Sequence, residues 1–143
     1  MAADRRAEVT WLGELQTGKG EVTLASSGSG TFPVSWPSRT EQPDGQTSPE
    51  ELLAGAHASC FAMAFSGGLG RAGTPPERLS VTATVTFVPG TGVTTSVLDV
   101  RGAVPGLDQA AFDEAAQAAE GRCPISNAIR GNVEVTVTAT LES

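Results

Sequence analysis

Two cysteines are the only thiols in this chain of 143 residues, and they stand in different company. Cys60 lies in LLAGAHASCFAMAFS (52–66), an apolar run rich in alanine; Cys123 lies in RCPISNAIR (122–130). At helical spacing the neighbours of Cys60 are Ala56, His57, Met63 and Ala64. Such a thiol has three readings: an inert filler packing like a large alanine, a metal ligand, or a nucleophile. A metal site would draw on His57 and Cys123, but no CxxC or HxxxH pair accompanies them. No metal or cofactor is expected, and His57 reads as a hydrogen-bonded core histidine. Cys123 has a different local physics. Pro124 suits the first position of a helix, which puts Cys123 at the N-cap, where unpaired N–H groups and the helix dipole favour thiolate. On local grounds Cys123 is the better-activated sulfur, unless the fold delivers an arginine to Cys60.

The elements that must position these residues follow from pattern. AEVTWLGEL (7–15) and GEVTLA (20–25) read as short strands joined through TGKG. Residues 26–47 are rich in Ser, Gly, Pro and Thr and read as a long loop with a possible strand at 32–36; Arg39 lies in it. Ser48, Pro49 and Glu51 make an N-cap, a first-position proline and a capping box for the helix carrying Cys60. GGLG after Ser66 is expected to end that helix. LSVTATVTFVP (79–89) and GVTTSVLDVRGAV (92–104) read as a hairpin, with Val81, Ala83, Val85 and Phe87 on its buried face. PGLDQAAFDEAAQAAEG (105–121) is an amphipathic helix opened by Asp108 and closed by Gly121. CPISNAIR is a short helix and NVEVTVTATLE (132–142) a last alternating strand. The class is α+β, in one domain over 1–143.

Composition narrows the function. The net charge is −7 and Lys19 is the single lysine, which argues against a nucleic-acid partner. With aromatics at 5% and no tyrosine, the core is expected to be built from small and β-branched side chains. The apolar stretch 52–65 contains His57 and Ser59 and is shorter than the roughly 20 residues of a membrane span, so no membrane partner is expected. No apolar run follows the arginines of MAADRRAEVTWLG, so no secretory signal is read. A cytoplasmic protein is expected.

TSPEELLAGAHASCFAMAFS followed by CPISNAI resembles the osmotically inducible protein C and organic hydroperoxide resistance family of thiol peroxidases. TWLGELQTGKG, and AHA before SCF, are similar to the osmotically inducible branch. The family pattern is met at Cys60, Cys123, Arg39 and Glu50. The resemblance implies antiparallel sheets packed around a central small-residue helix in an intertwined homodimer. It also implies roles. Cys60 would attack an organic hydroperoxide, and Cys123 would resolve the sulfenic acid to a Cys60–Cys123 disulfide. Arg39 would hold Cys60 as thiolate, and Glu50 would orient Arg39. A dithiol of the dihydrolipoamide type, carried on a lipoylated protein, would be the reductant. Without the resemblance, Arg39 is a solvated loop residue and Glu50 a first-turn carboxylate; Glu51 stays structural. Phe61, Met63 and Phe65, with Phe32 and Trp36, are expected to line an apolar approach for the substrate. The alternatives are a non-enzymatic redox switch and a small-ligand carrier.

One further expectation is geometric. Ten helical residues span roughly 15 Å, so an arginine pairing with Glu50 cannot also touch Cys60 of the same unbroken helix. Either the helix bends sharply, for which no interrupting proline provides, or a two-fold dimer whose partner supplies Glu50 resolves the conflict. The small residues Ala54, Gly55, Ala56, Ala58, Ala62 and Ala64 would allow close approach.

Overall fold

The structure, a computed structural model, describes all residues from Met1 to Ser143. The chain divides into two compact units, Met1–Leu52 and Leu53–Ser143.

The first unit is an antiparallel meander of β1 (Glu8–Leu12), β2 (Lys19–Thr23) and β3 (Thr31–Val34), followed by a short helix α1 (Trp36–Thr40). Trp11 pairs with Gly20 across the sheet. A Cβ at Gly20 would lie 2.7 Å from Cε3 of that indole, so glycine makes room for the ring. The expected loop around Arg39 is in fact this helix. Ser35 caps it in a reciprocal box with Ser38: each side chain accepts the other's backbone N–H, at 3.2 and 3.0 Å. Ser38 Oγ also lies 3.1 Å from the Thr47 carbonyl, tying α1 to the segment that leads to the next helix. The composition of 26–47 hid α1 because its cap, two serines and a proline, has the same composition as a loop.

That next helix, α2 (Pro49–Arg71), runs 23 residues without interruption. Ser48 Oγ accepts the Glu51 N–H at 3.1 Å, while the Glu51 carboxylate takes the Thr47 hydroxyl. The helix does not stop at Ser66. It continues through Gly67, Gly68 and Gly70, correcting the expected boundary. Three glycines cost about 3 kcal/mol against alanine, an amount matched by burying Leu69 and Phe65 on the same face at about 1.5–3 kcal/mol each. At Gly68 a Cβ would meet only the far end of the Arg122 side chain, which can swing aside. The full helix has the length and apolar character of a membrane span, and only 22% of its most apolar window is buried within the chain. Length therefore does not exclude a membrane span for α2, contrary to expectation. Against a spanning role, one stripe of α2 (His57, Phe61, Phe65 and Leu69) is buried in protein, with His57 hydrogen-bonded there.

In the second unit, β4 (Arg78–Val88) and β5 (Gly92–Ala103) form the expected hairpin. Exposure in β4 alternates residue by residue, with Val81, Ala83, Val85 and Phe87 on the shielded face. Then come α3 (Gln109–Arg122), α4 (Pro124–Ile129) and β6 (Glu134–Leu141). Gly121, expected just past the end of α3, lies inside it. The sheet order is β4-β5-β6, and β5 pairs with β6 in parallel, from Thr95↔Glu134 to Gly102↔Leu141. This sheet is mixed, not antiparallel as expected. A parallel neighbour needs a long crossover, and α3 with α4 supplies it. The outer edge of β6 is answered by α3: Gln109 donates to Ala139 O at 3.0 Å and accepts from Leu141 N at 2.7 Å, as a neighbouring strand would.

The core of this unit centres on Phe61, Phe65 and Phe112, stacked in tilted pairs with centroids 5.7 and 5.1 Å apart. Around them pack Leu98, Val100, Val104, Ala116 and Ala119. Small, β-branched and leucine side chains thus wrap an aromatic centre, and the core is not built from small and β-branched residues alone. Gly102 lies beneath the Phe112 ring, where a Cβ would come within 2.7 Å of it.

Candidate active site

The site residues fall into two groups, one in each unit. In the first, α1 and the opening turn of α2 bring Arg39 and Glu50 together. Arg39 Nε lies 3.0 Å from Glu50 Oε1, and Nη2 lies 2.9 Å from Oε2, a two-pronged pairing that fixes the guanidinium plane. The Glu50 side chain is 9% exposed and that of Arg39 29%, so the pair is shielded on the carboxylate side and open on the guanidinium side. The Trp36 ring lies under the guanidinium at 5.7 Å. Arg39 therefore is not a solvated loop residue. Arg39 borders a pocket of about 360 Å³ whose walls include Val9, Trp11, Val22, Val34, Trp36 and Leu52. It is an apolar space with one cationic group at its edge.

In the second unit the two cysteines meet. Cys123 is fully buried and caps α4, its Sγ accepting the Ser126 N–H at 3.5 Å. Cys60, on α2, is partly buried and packs against the same core cluster as Cys123. The Cys60 thiol is near enough to Cys123 and to the Ile125 backbone N–H for both to bear on its ionisation. Burial pushes the Cys60 thiol above its ordinary range. The Ile125 N–H opposes that, while the hydrogen bond and charge of Cys123 add to it. The surroundings of Cys60 in this unit thus favour the neutral thiol, the opposite of what a nucleophile needs.

His57 is the expected core histidine. It is fully buried, with Nδ1 at 2.6 Å from Ser96 Oγ on β5 and Nε2 at 2.7 Å from Ser126 Oγ on α4. Both ring nitrogens are engaged by hydroxyls, and no group of three or more His, Cys, Asp or Glu side chains is arranged to hold a metal. Burial holds the imidazole below its ordinary value, against a smaller opposing effect of the Glu120 carboxylate. The sign follows from linkage. The unfolded chain takes up a proton near pH 6.5 that the folded chain refuses, so this contribution is complete above about pH 6.5 and is lost as the pH falls below it. Melting followed by circular dichroism should show a midpoint that declines on acidification through this range. His57→Gln, which cannot ionise, should flatten that part of the profile.

Four of the five expected approach residues are elsewhere; Phe32 is exposed on β3 and does not wall the pocket. Phe61 and Phe65 are fully buried in the core, and Met63, two residues from each, faces solvent. The reason is helical spacing: positions 61, 65 and 69 share one stripe of α2, and 63 lies on another. Trp36 does line the apolar pocket. Sequence reading passed over Ser96, Ile125 and Ser126. Ser126 had a signal, since the residue three after an N-cap offers its N–H to the cap; Ser96 had none.

The model of the OsmC-like protein family matches residues 42–138. The chain belongs to the OsmC-like family. Peroxiredoxin OsmC of Escherichia coli K12 is 36% identical to this OsmC-like chain, with all of both chains covered. The organic hydroperoxide resistance protein of Xanthomonas axonopodis is 37% identical over 93 residues, 64% of this chain and 66% of that one. Among solved structures, an organic hydroperoxide resistance protein OsmC from Legionella pneumophila superposes with a TM-score of 0.69 at 26% identity, covering 97% of this chain and 99% of that one. The mixed α and β architecture with two small sheets is that of the OsmC-like fold.

Proposed function

We propose that this OsmC-like protein is a two-cysteine thiol peroxidase that reduces organic hydroperoxides to alcohols. The observation that carries the reading is that Cys60 packs against the buried cluster containing Cys123, near enough for one thiol to bear on the ionisation of the other. The Cys60 thiolate attacks the distal oxygen of ROOH. The O–O bond breaks, RO⁻ takes a proton and leaves as alcohol, and Cys60 becomes a sulfenic acid. Cys123 then displaces the hydroxyl as water, and the S–S bond forms. A dithiol, carried on a lipoylated protein, returns both thiols by exchange. The names of the relatives, a peroxiredoxin and an organic hydroperoxide resistance protein, support the reaction class.

Cys60 needs positive charge, because burial and Cys123 both favour its neutral form. Arg39 is the group proposed to supply it. A guanidinium stays charged and offers several donors in one plane, and the Glu50 carboxylate already sets that plane. The apolar pocket beside Arg39 suits the alkyl or aryl part of an organic hydroperoxide. Because α2 is unbroken from Pro49 to Arg71, Glu50 and Cys60 of one helix stand roughly 15 Å apart along it. We therefore place the working Arg39–Glu50 pair and Cys60 on different subunits of a cytoplasmic homodimer. The exposed apolar side chains Val9, Leu12, Leu15 and Met63, and the large apolar surface of α2 left open in the single chain, support such an assembly.

The test is steady consumption of cumene hydroperoxide by the reduced protein with excess dihydrolipoamide. Many turnovers per subunit support the peroxidase. A single equivalent consumed, with no recycling by any dithiol, would make the two thiols a redox switch.

A further inference from the structure

His57 is conspicuous because the chemistry proposed for the two thiols does not use it. It sits on α2 one turn before Cys60, and it is wholly buried together with both hydroxyls it meets, Ser96 and Ser126. Ser126 belongs to the first turn of α4, the helix that begins at Cys123. The first turn of that helix bears on both sulfurs: the Ser126 N–H donates to Cys123 at 3.5 Å, and the Ile125 N–H lies near enough to Cys60 to favour its thiolate. One side chain of the same turn, Ser126, is bonded back to α2 through His57. A six-residue helix has no stability of its own, so its seat depends on such ties. At its far end Arg130 pairs with Glu120 at 2.9 Å and donates to Asn127 at 3.0 Å. At the sulfur end the tie is Ser126 to His57, and Ser96 braces the ring from β5.

We infer that His57 is a positioning residue for the resolving step: through Ser126, and braced by Ser96, it seats the first turn of α4 so that Cys123 faces Cys60. The inference rests on the two-cysteine reading given above. In that step the Cys123 sulfur attacks the Cys60 sulfenic sulfur, the S–O bond breaks, and the hydroxyl leaves as water with the thiol proton. Disulfide geometry is narrow, so closure is sensitive to small displacements of α4. Attack on peroxide does not involve Cys123 and depends on α4 only through the Ile125 N–H.

The two steps are separable by stopped-flow mixing of the reduced protein with tert-butyl hydroperoxide. Closure is followed by intact mass, with and without dimedone to trap sulfenic acid. In Ser126→Ala and His57→Leu, oxidation of Cys60 should stay within about threefold of wild type, since a single N–H contact is at stake. Closure should slow by about tenfold or more, the scale set by ångström-level misplacement. A dimedone adduct on Cys60 should then accumulate, and sulfinic acid should form at lower peroxide. His57→Gln, whose amide can reach Ser126 though not Ser96, should recover part of the closure rate. A role confined to stability would lower the melting midpoint without separating the two rates. If His57→Leu does not fold, Ser126→Ala, which removes one oxygen, carries the test alone. Closure at the wild-type rate in Ser126→Ala, or an equal fall in both steps, overturns the inference. Wild-type protein that forms no Cys60–Cys123 disulfide would overturn the two-cysteine reading itself, an outcome visible before any variant is made.

Discussion

Cys60→Ser is expected to abolish organic hydroperoxide consumption, whereas Cys123→Ser should still perform one turnover and stop. The two sulfurs differ in what surrounds them. Cys123 is fully buried at the cap of α4, and Cys60 is the partly exposed one. A peroxide must reach a sulfur before it can oxidise it, so access outweighs the dipole that favours Cys123 thiolate. With Cys60 replaced by serine, one equivalent of hydroperoxide should leave the protein mass unchanged. With Cys123 replaced, the same equivalent should add one oxygen at Cys60, trapped by dimedone, and excess should carry it to sulfinic acid. Rapid sulfenic acid formation on Cys123 in the Cys60→Ser protein would reverse the assignment.

Arg39→Met should lower the rate of peroxide reduction by two or more orders of magnitude. Methionine keeps much of the length and apolar volume, so the packing against Trp36 and the pocket wall is largely kept while the charge is lost. Burial already biases Cys60 toward the neutral thiol; without a cation the thiolate fraction falls further. Alkylation of Cys60 by iodoacetamide, measured against pH, should move to higher pH in Arg39→Met. An unchanged profile would assign Arg39 no part in activating Cys60. The pairing of Arg39 with Glu50 inside one chain sharpens the test of a shared site. If both come from the partner, then either Arg39→Met or Glu50→Ala subunits, mixed with Cys60→Ser subunits under conditions of exchange, should regain one working site per heterodimer. Activity should rise from near zero toward half that of wild type at the same heterodimer concentration. A fully exchanged mixture that stays inactive, or an active monomer in sedimentation, rules the shared site out.

Much of the scaffold was legible because it depends on local chemistry. The alternation of valines with threonines set β4 and β6, and Asp108 opened α3, its carboxylate accepting the Ala111 N–H at 2.8 Å. Cys123 followed by proline marked the cap of α4. Each rests on the hydrogen-bonding needs of one helix end or on one face of one strand, and both repeat within a few residues of sequence. The errors share a cause. The helix α2 passes through Gly67, Gly68 and Gly70 because Phe65 and Leu69 are buried by residues distant in sequence. Phe61 and Phe65 read as an approach to the site, yet the core claimed them. β6 joined β5 in parallel because α3 and α4 intervene, a choice no strand carries in its own residues.

The candidate site divides along the same line. Residue types and order by themselves determined which sulfurs to watch and that His57 belongs to a core, whereas Arg39 and Glu50 stood out only through the family resemblance. Tertiary structure alone decided that Arg39 is held on a helix by both oxygens of Glu50, and that Ser126 offers its amide to the Cys123 sulfur while Cys60 packs against the same cluster. It alone found Ser96 and Ser126 on either side of the imidazole. A hydrogen bond between residues 39 or 69 positions apart is set by the packing of whole elements, and packing follows shape and burial summed over the chain, which no short stretch of sequence contains.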